Sequence, residues 1–187
     1  YRIFKKTGAE SESVMQSPLG ENIVYPGDSI QFEFTLPFAG FCYLFNEGRE
    51  GKLVWINPRP GKSPQRARGG EPLRVPENVW LPFENDDPRN QIFIVVYVPD
   101  GTPWSLEDVV PAEEQEEQLK ASAKKGNFPY AQIRTPFAAR LTKALEEKAR
   151  PANFASLPLD GRYLADLPPP DGRRLIYHKI ELWHRLK

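Results

Sequence analysis

Four small sets of residues carry side chains from which a reaction or a ligand site could be built. The first is the single thiol, Cys42, together with the only two imidazoles, His178 and His184. A thiolate beside an imidazole base is a nucleophile for acyl transfer. Cys42, however, sits in the apolar run FCYLFN, where burial raises a thiol's pKa, whereas reactive cysteines favour helix starts or cationic neighbours. Packing is its expected role. The histidines fall on one face of a strand with Ile176, Ile180, Leu182 and Leu186, but at strand rise their α-carbons stand roughly 20 Å apart. One metal ion cannot be held by both, and without a second cysteine no structural zinc is expected.

The second set is Glu84, Asp86 and Asp87 in ENDDPRN, oxygen ligands of the type a hard cation takes. Asp and Asn also suit turns for purely conformational reasons, which is the reading adopted. The third is Gly61-Lys62-Ser63, which matches the end of a phosphate-binding loop. That motif needs a glycine where Ile56 stands, and a helix directly after it, which this sequence does not offer. Catalytic, cofactor and metal residues are accordingly all expected to be none.

The fourth set is a charge cluster. PRPGKSPQRARGG holds no hydrophobic side chain larger than alanine and reads as an exposed loop. Arg59, Lys62, Arg66, Arg68 and Arg74 against Glu71 leave a local surplus of four. Arg59, Lys62, Arg66 and Arg68 are the candidate anion- or partner-binding residues. No aromatic residue interleaves with them, so base stacking is not indicated, and a solvated loop facing acids elsewhere is the plainer reading.

These sets need a scaffold, and the rest of the chain describes one. At 187 residues, 40% hydrophobic, it can bury one good core, so a single domain is expected. The formal net charge is zero, which gives no global preference for nucleic acid or anionic lipid. A lone cysteine excludes an internal disulfide and leaves the compartment undecided. The longest apolar run, about eight residues around Ile92 to Val98, is far short of a membrane helix. The chain begins at Tyr1 without a leader pattern, and is read as an excised piece of something larger.

A short strand over Arg2 to Lys5 is followed by a polar loop, Thr7 to Gly20. Pro26-Gly27-Asp28 is turn chemistry. Ile30, Phe32, Phe34 and Leu36 then alternate with Gln31, Glu33 and Thr35, which predicts a half-buried strand. FCYLFN is apolar on both faces and predicts a strand between two layers. A hairpin loop, NEGREG, leads to KLVWIN, and the three strands read as an antiparallel meander. EPLRVP and NVWLPF, flanked by prolines, belong at sheet edges. QIFIVVYV belongs mid-sheet. Beyond Gly101, a helical turn capped by Ser105, a solvated helix over PAEEQEEQLKASAKKG and a packing helix from Thr135 with Phe137, Leu141 and Leu145 on one face are expected. Pro151 ends that helix. Asn153 to Gly172 reads as a connector, and Arg174 to Leu186 as a long closing strand.

The order YPGDSIQFEF, GFCYLFNEGREGKLVWINP, LRVP and QIFIVVYVPD resembles the bacterial domain-of-unknown-function family 4384. Tyr25, Pro26, Gly27, Asp28, Gly40, Tyr43, Leu44, Gly51, Asn57, Pro58, Val75 and Pro76 occupy its pattern, over about residues 21–100. DPRNQ departs from the Pro-Gly-Thr-Glu-like turn usual there, and everything after Gly101 lies outside the likeness. The resemblance implies an accessory β-sandwich attached to caspase-like peptidases, kinases or repeat segments, with no catalytic residues to carry over.

The combined expectation is a mainly β fold, an antiparallel β-sandwich with two or three peripheral helices in the C-terminal half. One domain, 1–187, would comprise a β core (21–100), a helical and loop insertion (101–172) and a closing strand (173–187). Its function would be that of a non-catalytic binding or regulatory module of a multidomain bacterial protein, needing no cofactor. The partner would be another protein or a flanking domain, met at Asn46 to Gly51, Arg59 to Gly70 and Glu84 to Asn90. Anion or nucleic-acid binding through the basic loop is the first alternative, and a Cys/His hydrolase the second.

Overall fold

The computed structural model describes residues 1–9, 12–15, 22–36, 38–47, 53–58, 62–83, 91–104, 106, 113, 116–117, 120, 131–133, 139–141, 143, 149–151 and 175–185, with the backbone alone at 131–133, 149–151 and 175. In chain order the strands are β1 (Arg2–Thr7), β2 (Ser13–Val14), β3 (Ile23–Val24), β4 (Asp28–Thr35), β5 (Gly40–Glu47), β6 (Leu53–Asn57), β7 (Gln65–Ala67), β8 (Pro72–Val75), β9 (Leu81–Pro82), β10 (Gln91–Pro99), β11 (Ala131–Ile133), β12 (Ala149–Pro151) and β13 (Leu175–His184). The fold is mainly β. Among the described residues the strands form a five-stranded sheet, β2-β1-β4-β8 with β9 also on β4, and an eight-stranded sheet, β11-β6-β5-β10-β13-β12 with β7 on β5 and β3 on β13.

The alternation in β4 does what it predicts: Ile30, Phe32 and Phe34 are buried and Glu33 lies on the opposite face. They meet Cys42, Leu44, Phe93, Val95, Tyr97, Ile176, Ile180 and Leu182 of the large sheet in one core, so the two sheets pack face to face. β5 carries a second set on its other face. Tyr43 and Phe45, with Leu53, Trp55, Ile94, Val96 and Val98, are covered by Trp104, Leu106 and Leu141. β5 and β10 are therefore buried on both sides, as their unbroken apolar runs require. β10 lies mid-sheet between β5 and β13. β8 and β9, the proline-flanked pair, share one edge of β4.

Several expectations need correction. β4 and β5 do not pair; the chain crosses between sheets after Leu36, so the expected meander is a crossover followed by the β5–β6 hairpin. The sheets are not wholly antiparallel, since β13 runs parallel to both β12 and β3. The long connections to β13 make this possible, because parallel neighbours need a crossover of roughly a dozen residues or more. Residues 58–70 are not loop throughout: β7 pairs with β5 and Ala67 is completely buried. The polar stretch after Thr7 contains β2. Among the described residues, helix appears at Glu113, Glu116, Glu117, Lys120, Ala139 to Leu141 and Lys143, with a single 3-10 position at Leu106 in the expected helical turn. The two or three peripheral helices are thus not part of the described fold, and the connector over residues 153–172 and the Ser105 cap lie outside the described residues. Pro151 lies in β12, not at a helix end.

Candidate functional site

The turn Tyr25–Asp28 closes over structure. Asp28 N–H donates to the Tyr25 carbonyl at 3.0 Å, and Gly27 at i+2 holds φ at 88°, the left-handed value a type II turn demands there. The Asp28 carboxylate, buried in the core's end, accepts from Thr7 Oγ1 at 2.7 Å and from the Tyr25 N–H at 2.9 Å, with Lys5 Nζ 3.4 Å away. Phe83 exchanges backbone hydrogen bonds with Gly27 and Asp28. Burial pushes the Asp28 carboxyl up, but the Thr7 and Tyr25 hydrogen bonds and the Lys5 charge together hold it below the usual aspartate range. The residue is a clasp joining the turn, β1 and β9.

Cys42 is fully enclosed, and burial pushes its thiol up to about 12, so it is protonated at neutral pH and not a competent nucleophile. Its neighbours across the sheet are Tyr97 and then Ile176, and His178 stands two residues further along β13. Two strand spacings and two residues of rise separate Cys42 from His178 by about 12 Å. Instead, His178 lies against the Tyr1 ring at 5.6 Å, and the buried His184 against Phe83 at 5.4 Å. The structure does not bring the thiol and the imidazoles together. Among the described residues no group of three or more His, Cys, Asp or Glu could hold a metal ion, and no described helix is long and apolar enough to cross a membrane.

Of the basic set, Lys62, Arg66 and Arg68 are exposed, while Arg59 lies outside the described residues. Arg66 pairs with Asp100 and Arg68 with Glu71 at 3.8 Å. Arg74 is bidentate to Glu12 at 2.7 and 2.9 Å, reaches Glu33 at 3.5 Å and covers the Phe4 ring at 3.9 Å. Much of the surplus read from the sequence is therefore met by acids distant along the chain.

The three expected contact segments do not share one end. Glu47 pairs with both Leu53 and Ile92, so residues 48–52 and 84–90 depart from neighbouring strand ends. β7 instead follows β5 toward Gly40, placing Arg66 to Gly70 at the opposite end, where Gly70 N–H donates to the Leu36 carbonyl at 2.8 Å. Glu84, Asp86 and Asp87 lie outside the described residues.

At that opposite end sits a pair of residues whose role the sequence reading missed. A β-carbon on Gly40 would meet the Val98 carbonyl oxygen at 2.4 Å, Tyr97 Cε2 at 2.7 Å and Pro99 Cα at 2.9 Å. The Tyr97 hydroxyl donates to the Phe38 carbonyl beside it, and burial raises its pKa. A lone glycine inside an apolar strand is the signal that could have found this close approach. Comparison with protein-family models, curated proteins and solved structures found no match.

Proposed function

We propose that the chain is a non-catalytic binding or regulatory module of a larger multidomain bacterial protein, which holds another protein or a flanking domain of its own chain. The observation that carries this reading is that the residues most suited to chemistry serve the scaffold. Cys42 is sealed in the core, and Asp28 is consumed by its clasp. The residues of the family-like pattern behave the same way. Gly40 permits strand contact, Asn57 Nδ2 donates to the Cys42 carbonyl at 2.9 Å, and the Pro76 carbonyl accepts from the buried Gln31 at 2.7 Å. Such a pattern supports membership in the 4384-like family as a scaffold with variable attachments. In this reading the packing helix from Thr135 covers the outer face of the large sheet through Leu141, the acidic helix lying outside it.

The contact surface is the end bounded by Glu47, Leu53 and Ile92, with the exposed Trp183 at the close of β13 beside it. Rigid strands present that end as a unit, and an exposed tryptophan is a favoured anchor for protein contacts. Hydrogen exchange on the longest natural polypeptide containing this chain tests it. Residues 44–47, 91–93 and 181–185 should exchange more slowly there than in the isolated chain. Equal exchange at all three segments sinks the reading.

A further inference from the structure

One edge of the small sheet is closed by a segment held as a bound peptide would be held. β2 has only two residues, Ser13 and Val14, and lies along β1. Met15 N–H donates to the Ile3 carbonyl at 2.8 Å, and Ser13 Oγ to the Lys5 carbonyl at 3.3 Å. Met15 packs against the core between the sheets. Residues three apart on an extended chain point to opposite faces, so Glu12 emerges on the outer face, where it meets Arg74 at 2.7 and 2.9 Å. Backbone bonds to a sheet edge, with side chains taken alternately into different sites, are the means by which extended peptides are recognised.

The receiving site is built from other parts of the chain. Arg74 reaches from β8 across β4, and its guanidinium lies 3.9 Å from the centre of the Phe4 ring, donates to Gln31 Oε1 at 3.4 Å and stands 3.5 Å from Glu33. Gln31 is itself fixed by its bond to the Pro76 carbonyl. The guanidinium is therefore aimed without help from Glu12. The strand positions of this face in β1, β4, β8 and β9 carry Arg2, Lys6 and Arg74 against Glu33 alone, and both arginines share that one carboxylate. Such a face selects an acidic occupant. The present one is lightly held: the Arg74 and Glu12 side chains remain 37% and 40% exposed, and exposed ion pairs contribute little. We propose that the β1 edge and the outer face beside it form a binding site for an extended acidic segment of a partner protein, with an apolar side chain three positions after the acid. Glu12 to Met15 is the chain's own occupant of that site and is displaced when the partner binds. The surface belongs to the small sheet, away from the end bounded by Glu47, Leu53 and Ile92, and stands independently of it.

The test uses the whole chain and, as probe, the blocked peptide Gly-Glu-Ser-Val-Met-Gly, with a second peptide in which glutamine replaces the glutamate. The chain carrying Glu12→Ala and Met15→Ser should bind the first peptide about tenfold more tightly than the parent, whose tethered segment competes. Adding Arg74→Gln should weaken that binding about fivefold and leave the glutamine peptide unaffected. The parent supplies a reading that needs no substitution: its Met15 amide should exchange with solvent about a hundredfold faster than those of Phe4 and Gln31, which face each other across β1 and β4. Failure of the double variant to bind, equal affinity for it and the parent, indifference to Arg74→Gln, or a Met15 amide as protected as Phe4 and Gln31 would each overturn the proposal.

Discussion

The two ends of the packed sheets are fastened by opposite means. At one, the clasp of Asp28, Thr7, Lys5 and Phe83 uses a buried carboxylate met by directional donors. At the other, Gly40 lets two strands approach so closely that the Tyr97 ring covers the gap and its hydroxyl ties down the crossover at Phe38. The first fastening depends on ionisation and the second on an absent side chain. Stability should therefore respond to pH at one end and to volume at the other.

The largest effect is expected at the volume-limited end. Gly40→Ala sets a methyl against backbone on two sides, which a flexible side chain cannot relieve. It should cost about 3 kcal/mol or more in denaturant unfolding. Asp28→Ala comes next, at about 2 to 3 kcal/mol, through loss of the charge-assisted bonds and the unpaired donors it leaves. The same residue sets the acid limb. Its folded carboxyl lies below the ordinary range, so its contribution is complete above the unfolded value of about 4 and is lost as the pH falls through the folded one. The parent should lose stability on acidification more steeply than Asp28→Ala. Parallel acid limbs would show that the carboxylate is not the fastening. Tyr97→Phe should cost about 1 kcal/mol and leave that limb unchanged. Smallest is Arg66→Ala, whose exposed pair with Asp100 should be worth about 0.5 kcal/mol or less. A larger loss there would mean that charge fastens this end too.

Which parts of this arrangement were legible follows from their range along the chain. β10 and the inner face of β4 announced themselves through runs of eight or so patterned residues. β2, β3 and β9, each two residues long, are too short to show a period, and β7 is hidden in a charged segment. The Asp28 turn could be read locally, but Thr7, its partner, is 21 positions away. Arg66 and Arg74 looked unopposed because Asp100 and Glu12 lie 34 and 62 positions off.

One edge of β5 is occupied in tandem, by β6 along Leu44 to Glu47 and by β7 along Gly40 to Cys42, with Ile56 as the extra residue at a bulge. Each short strand thus finds its own alignment on β5, independent of the other. That makes the interval between Pro58 and Pro64 a natural graft point: foreign peptide of widely varying length could be spliced in while both alignments survive, so the scaffold can acquire a new appendage without relearning how to fold.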